Sequence, residues 1–356
     1  MIAAYERLLL FNLRTDIDDD VLGFTTNWIN ALAEYYKQID VITMHQGRLA
    51  VADNVSVYWV GREKKVGRFK RILNFYQLLF RLLKNNRYDA CFAHMTPLFA
   101  AMAGIPLRSA GIPLTLWFTH RSRNLILRSA LMLSQQVVTA VPSSFPYESK
   151  KVYAIGHGVD TDFFVPGVDH QPHRKRVTQV ARLTEIKNQH LLIEAIQGMD
   201  IDLYLVGDVP DGYPHAYKQQ LIAQVKALGI EDQVFFTGRQ TPAQIRQIYQ
   251  ESDLAVNLSP QGLFDKAALE GMACGLPILV SNPAFDHLLG QHQGLLRLES
   301  LENVALIRQH IEAILEKSDA ERQEIGQGLR QEVIEKHSLK RLVAELVCVL
   351  QSGKPC

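Results

Sequence analysis

From Asn257 to Val280 the chain reads as a strand end, a tight turn at Gly262, a short helix of small residues and a second buried strand. Gly262 lets the backbone approach a ligand with no Cβ in the way. The helix that follows aims its unpaired N–H groups and positive dipole end at the same place, which suits a phosphate. Glu270 is expected about two turns into that helix and is nearly its only charge after Lys266. A carboxylate so placed can accept hydrogen bonds from two neighbouring ribose hydroxyls. Gly271, Ala273 and Gly275 are small enough to seat the helix tightly on a sheet. The same residues also fit an ordinary strand-turn-helix crossover with a surface Glu, and this stretch alone leaves both readings open.

Similar units recur along the chain. Buried runs at 7–12, 39–43, 55–60, 88–93, 113–118, 136–140 and 151–155 read as strands of a first sheet, and 177–181, 203–208, 234–237 and 254–258 as strands of a second. Helical segments separate most of them, among them one from Gly23 through Trp28, Leu32 and Tyr36 and others at 188–197, 217–228 and 242–250. Alternation of this kind predicts an α/β fold with a parallel sheet in each half. A length of 356 residues suits two domains, each with its own core.

Composition excludes several classes. With 47% apolar and 21% charged residues the chain is typical of soluble globular proteins. Cys91, Cys274, Cys348 and Cys356 are scattered with no Cys-x-x-Cys, so neither a zinc site nor a disulfide framework is indicated, and a reducing compartment fits best. Glu6 and Arg7 interrupt the first apolar run, which does not read as a signal peptide, and no apolar run is long enough to span a bilayer. Residues 1–150 carry 18 Lys+Arg against 11 Asp+Glu, a balance of +7, which leaves 20 against 26, or −6, for the remainder. Cations from Arg62 to Arg87 flank an apolar stripe, Phe69, Ile72, Phe75, Leu79 and Leu83 among its members. The stripe is expected to face a core, and the basic flank to meet lipid headgroups or a phosphate-bearing acceptor. No nucleic-acid module is recognisable.

Several loops carry candidate chemistry. Asp16, Asp18, Asp19 and Asp20 precede Gly23; this fits a solvated helix N-terminus, and three consecutive carboxylates cannot all face one metal ion. His94 and His120 close two strands and would open into the ligand crevice of a doubly wound sheet. Arg182 and Lys187 flank a loop after another strand, where a cation pair can neutralise a diphosphate.

The run Leu269-Glu270-Gly271-Met272-Ala273-Cys274-Gly275-Leu276-Pro277 resembles the donor-binding signature of retaining glycosyltransferases of the GT-B type, the "glycosyl transferases group 1" or family 4 type. The resemblance covers nearly the whole chain. It implies two facing Rossmann-like domains, residues 1–166 binding the acceptor and 167–335 the nucleotide sugar, with a last helix at 336–356 returning to the first. Glu270 would hold the ribose. The family's other Glu, eight residues earlier, is Gly262 here, within a Gly-x-x-Asp-Lys pattern (Gly262 to Lys266) shared by a subset. Arg182 and Lys187 match the pattern Arg-Leu-x-x-x-Lys. The Trp117-Phe118-Thr119-His120-Arg121 run resembles the segment whose His faces the donor sugar.

By the same resemblance, the donor set is Gly23, Arg182, Lys187, Gly207, Gly238, Arg239, Gly262, Leu263, Phe264 and Glu270, with His120, Arg182 and Lys187 catalytic. Asp18, Asp20 and His94 are the acceptor candidates. The implied reaction moves a sugar from a UDP- or GDP-sugar to a hydroxyl acceptor, lipid-linked in one version, with retention and without metal or cofactor. It would serve bacterial glycolipid, polysaccharide or glycoconjugate synthesis in the cytoplasm, at the inner face of an anionic membrane. A nucleotide-sugar epimerase, or a non-catalytic nucleotide-sugar-binding protein on the same fold, is the alternative.

Overall fold

A computed structural model describes residues 5–19, 22–61, 67–167 and 174–356. The chain divides into two compact units, Met1–Gly158 with Leu339–Cys356, and Val159–Ser338. The first cut thus falls at Gly158/Val159, earlier than the expected 166/167, and the return at Ser338/Leu339 rather than 335/336.

In the first unit the elements run β1 (Tyr5–Thr15), α1 (Phe24–Ala33), β2 (Tyr36–Gln46), β3 (Val55–Trp59), α2 (Arg68–Asn85), β4 (Ala90–His94), α3 (Pro97–Ser109), β5 (Leu114–Trp117), α4 (Leu125–Leu133), β6 (Gln136–Thr139) and β7 (Val152–Ala154). The strands form a parallel sheet in the order β3-β2-β1-β4-β5-β6-β7. Right-handed crossovers put α1 on one face, because β1 to β2 steps one way, and α2, α3 and α4 on the other, because their crossovers step the opposite way. Phe75, Leu79, Phe99, Ala103, Leu107 and Leu127 seal the second face over Leu9, Phe11 and Leu116 of the sheet.

Helix α1 stops sooner than its apolar period suggests. Tyr36 opens β2, paired with Tyr5, instead of ending the helix. The ring is fully buried and its hydroxyl accepts a hydrogen bond from Gln351 at 2.7 Å. Burial of a large aromatic against a sheet outweighs one more turn of helix.

In the second unit the order is β8 (Lys175–Val180), α5 (Gln189–Ala195), β9 (Ile201–Val206), α6 (Ala216–Leu228), β10 (Val234–Gly238), α7 (Pro242–Gln250), β11 (Leu254–Asn257), α8 (Lys266–Ala273), β12 (Ile278–Val280), α9 (Asp286–Leu289), α10 (Gln293–Leu296), α11 (Val304–Leu315) and α12 (Asp319–His337). The sheet is again parallel, in the order β10-β9-β8-β11-β12. Gly271 on α8 would place a Cβ 3.2 Å from Tyr249 and 3.4 Å from Ala255, so the helix does seat closely on its neighbours.

The chain ends in α13 (Leu339–Ser352), which packs on α1 and buries Leu342, Val343 and Leu346. Beyond it Gly353, at φ +78°, turns the tail back and Cys356 is bonded to Cys348, with Cα atoms 5.6 Å apart. The scattered spacing gave no indication of this pair, since helix end and glycine turn, not sequence spacing, bring the two sulfurs together. Cys91 and Cys274 stay free and buried. Among the described residues no helix is long and apolar enough to cross a membrane, and no cluster of His, Cys, Asp or Glu could hold a metal ion.

Candidate active site

The second sheet changes direction between β8 and β11, and ligands of doubly wound sheets bind beyond the carboxyl ends at such a point. Two loops occupy it, 181–188 after β8 and 258–265 after β11. Asn188, in the left-handed region at φ 55°, ties them together by donating from Nδ2 to the Leu258 carbonyl at 2.8 Å. Two buried glutamines fix the backbone of both basic residues. Gln189 donates to the Arg182 carbonyl at 2.9 Å and Gln179 to the Lys187 carbonyl at 2.8 Å.

The two cations then differ. Arg182 is exposed, and no described side chain holds its guanidinium. Lys187 is only 6% exposed; its ammonium donates to Ser259 Oγ at 3.0 Å and pairs with Asp265. Asp265 Oδ2 also accepts from Asn257 Nδ2 at 3.1 Å and from the Ser259 hydroxyl. Asp265, Ser259 and Asn257 were absent from the expected site. Asp265 had a signal in the Gly-x-x-Asp-Lys pattern, whereas Ser259 and Asn257 show only as short polar residues at a strand end, which are common in any loop.

Helix α8 begins right after Asp265, whose carboxylate makes no capping bond, so the first N–H groups of the helix are not covered by that side chain. Glu270 stands about one turn into α8, not two, and accepts from Lys266 at 2.6 Å with side chains 12% and 22% exposed respectively. Gly262 adopts φ 91° in the preceding turn. Of the neighbouring donor candidates, the Leu263 carbonyl is taken by Asn282 at 2.9 Å and the Phe264 ring is buried, stacked on Phe285 at 4.5 Å. The Leu263 N–H donates to the Pro260 carbonyl at 3.2 Å.

Two further glycines shape the rim. At Gly207, φ is 132° and a Cβ would sit 2.2 Å from the Ala181 carbonyl oxygen, so no larger residue fits beside the Arg182 loop. Gly207 N–H donates to the Gly238 carbonyl at 2.9 Å. Arg239 lies next to it but leans away, donating to Val209 O at 3.3 Å and pairing with Asp211. Asp208 sits in the same turn. Partial burial alone would raise its pKa, but the Lys218 ammonium at 3.0 Å and the Val209 N–H at 2.8 Å hold it below the usual carboxylate range.

In the first unit the corresponding switch lies between β1 and β4. The Asp-rich loop after β1 is held by arginines. Arg48 grips Asp18 through both guanidinium arms, at 2.7 and 2.6 Å, and this pairing lowers the Asp18 pKa; Arg14 pairs with Asp19. Asp20 lies outside the described residues. Gly23 is enclosed by its own loop: a Cβ there would meet the Asp19 carbonyl oxygen at 2.6 Å, and its N–H already donates to that oxygen. The Asp18–Arg48 pair is exposed to solvent, with side chains 59% and 64% accessible.

His94, paired in register with Asn12, is enclosed rather than open to solvent, at 3% exposure. Trp28 lies 5.0 Å away and Phe24 5.9 Å, ring to ring, and neither imidazole nitrogen has a hydrogen-bond partner among the described residues. Burial, with a smaller contribution from His157, pushes its pKa down to about 3, so the ring is neutral at ordinary pH. His120 differs: it is exposed on the loop after β5, with Nδ1 accepting from the Ser122 N–H at 3.0 Å.

Two Rossmann-like domains with parallel sheets define the GT-B class of α/β protein. Residues 160–332 match the family model "Glycosyl transferases group 1". Among curated relatives, a D-inositol 3-phosphate glycosyltransferase of Segniliparus rotundus is 24% identical over 220 residues, 56% of this chain and 47% of that one. A mannosylfructose-phosphate synthase of Agrobacterium fabrum is 30% identical over 148 residues, 37% and 33% of the two chains. The chain thus spans about half the length or less of these relatives. Anabaena HepE, solved in complex with UDP and glucose, superposes with a TM-score of 0.75 at 18% identity, over 97% of this chain and 99% of that one. A sucrose-phosphate synthase from Thermosynechococcus elongatus gives 0.76 at 17%, over 98% of each. At these identities the solved structures establish the fold.

Proposed function

We propose that this chain is a retaining glycosyltransferase that moves a sugar from a nucleoside diphosphate to a hydroxyl acceptor. The observation that carries the reading is the β8/β11 switch point. An exposed Arg182, a loop-bound Lys187 and the uncapped start of α8 converge there, with the carboxylate of Glu270 one turn behind. The cations and N–H groups suit a diphosphate, and Glu270 suits the adjoining ribose. Similarity to a glycosyltransferase supports sugar transfer, and the UDP bound in Anabaena HepE favours a uridine donor over a guanosine one.

In the proposed reaction the bond from the anomeric carbon to the diphosphate oxygen breaks. The acceptor oxygen bonds to the same face of that carbon, and its proton passes to the departing diphosphate. Arg182 and the N–H groups at the start of α8 offset the charge growing on the leaving group, which is where such a protein gains rate, while Lys187, paired with Asp265, ties the Arg182 loop to the start of that helix. His120 would contact the donor sugar, and no metal or cofactor takes part. Binding of the acceptor is assigned to the first unit, and the protein to the cytoplasm.

Calorimetry with UDP, GDP and their sugars tests donor binding, and stabilisation should follow RT ln(1 + [L]/Kd). Proton NMR of the transferred sugar reads the anomeric configuration, and inversion would refute retention. A chain bound by no nucleoside diphosphate is not a glycosyltransferase of this kind.

A further inference from the structure

Helix α8 carries its two charges at the ends its dipole disfavours. Lys266 is its first residue, at the positive end, and Glu270 stands in its second half, towards the negative end. A lysine four residues before a glutamate is also the weaker order for a pair within a helix. Arg308 with Glu312 and Arg341 with Glu345 share that order, but their arginines are 40% exposed, where water screens the difference. Lys266 and Glu270, at 22% and 12%, are far more enclosed than either of those pairs. Replacing an enclosed ion pair by apolar side chains often costs a fold nothing, so keeping one in the unfavourable order points to a use beyond the fold.

The lysine is itself held. Its ammonium lies 6.0 Å from the centre of the buried Phe164 ring. Arg330 of α12 fixes that phenylalanine by donating to its carbonyl at 2.7 Å and to the Thr161 carbonyl at 3.0 Å. The same guanidinium donates to the Ala273 carbonyl at the end of α8. One arginine thus ties down both the helix that bears Glu270 and the ring beside Lys266. From there Lys266 Nζ reaches Glu270 Oε1 at 2.6 Å, and among the described residues no group donates to Oε2.

We propose that Lys266 acts through Glu270 as a positioning residue, holding the carboxylate by Oε1 so that Oε2 is presented to a ribose hydroxyl. A glutamate already fixed in its binding rotamer loses less freedom when the nucleotide arrives, and that saving appears as affinity. The order of charges along α8 then follows from the ligand, which needs the carboxylate behind the helix start and not at it. The inference rests on the sugar-transfer reading, in which Glu270 holds the ribose.

A double-variant cycle on the full chain tests this, read by calorimetry with UDP, or with GDP should the wild type bind only that. Lys266→Met should weaken binding roughly tenfold, within the range of coupling between groups in contact, and Lys266→Arg should keep most of the affinity. In a Glu270→Gln background Lys266→Met should change affinity less than about twofold, because the group it acts on is gone. The swap Lys266→Glu with Glu270→Lys puts each charge at the end the dipole favours. It should melt no lower than wild type and bind at least about tenfold more weakly. Because it keeps both charges, the swap still reports if Lys266→Met alone folds poorly. Wild-type affinity in Lys266→Met, an equal loss in the Glu270→Gln background, or a swap that melts well below wild type overturns the proposal. Each of those outcomes leaves nucleotide binding by the wild type standing. A wild-type chain that binds no nucleoside diphosphate removes the sugar-transfer reading and this inference with it.

Discussion

Lys187 and Asp265 form an ion pair in which the lysine side chain is 8% exposed and the aspartate 22%. It joins the loop after β8 to the start of α8, and Ser259 and Asn257 add their own hydrogen bonds to the same carboxylate oxygen. Asp265 and Glu270 are the two carboxylates of the Gly262 to Glu270 run. Each of them pairs with a lysine, Asp265 with Lys187 and Glu270 with Lys266.

Asp265→Ala strands the Lys187 ammonium in a poorly hydrated place. The expected loss is about 2 kcal/mol, less than for a fully buried pair because Asp265 is part-exposed. The thermal midpoint should fall by roughly 4–8 °C. Lys187→Met combined with Asp265→Leu should recover most of that loss, because no lone charge remains. An unchanged midpoint in Asp265→Ala would mean that the pair contributes nothing to the fold.

Glu270→Gln keeps the shape of the side chain and removes its charge. Hydrogen bonds to a charged group are worth about 1.5–3 kcal/mol, so UDP should bind roughly 10- to 150-fold more weakly. Titration calorimetry reads this directly. Wild-type affinity in the variant would remove Glu270 from the ribose.

Arg182 behaves differently because no described side chain holds its guanidinium. Arg182→Ala should leave the thermal midpoint almost unchanged. It should cut kcat by about 100-fold or more with a smaller change in KM, as expected of a group that acts on charge developing in the transition state. A variant with raised KM and intact kcat would make Arg182 a binding residue only.

His94 gives a pH signature. Its folded pKa, about 3, lies below the ordinary imidazole value of 6.5. Between those values the unfolded chain holds a proton that the native chain does not, so stability rises with pH across the window. The contribution is complete above the unfolded pKa and is lost as pH falls towards the folded one. The slope from this single group is up to about 1.4 kcal/mol per pH unit. Urea unfolding between roughly pH 4 and 6 should show it, and His94→Leu should flatten it. An equal slope in the variant would place the titrating group elsewhere.

Much of the architecture was legible in the chain. Buried runs of four to eight residues, alternating with helical spacing, locate both parallel sheets, because periodicity is local and each segment carries it by itself. Gly262 and the Arg182–Lys187 loop were visible for the same reason: a glycine where the turn needs positive φ, and cations beside a strand end. Tyr36 was misread because an aromatic residue at helical spacing also fits the first position of a strand.

What only the tertiary structure decided is which groups meet. Lys187 and Asp265 come together across the chain because β8 and β11 are neighbours in the sheet, an order set by crossover handedness rather than by sequence distance. The enclosure of His94 by Phe24 and Trp28 and the bonding of Cys348 to Cys356 are of the same kind. Residue type and spacing fix where a polar group can be. Packing of distant elements fixes whether it stays free for a ligand or is used up holding the fold.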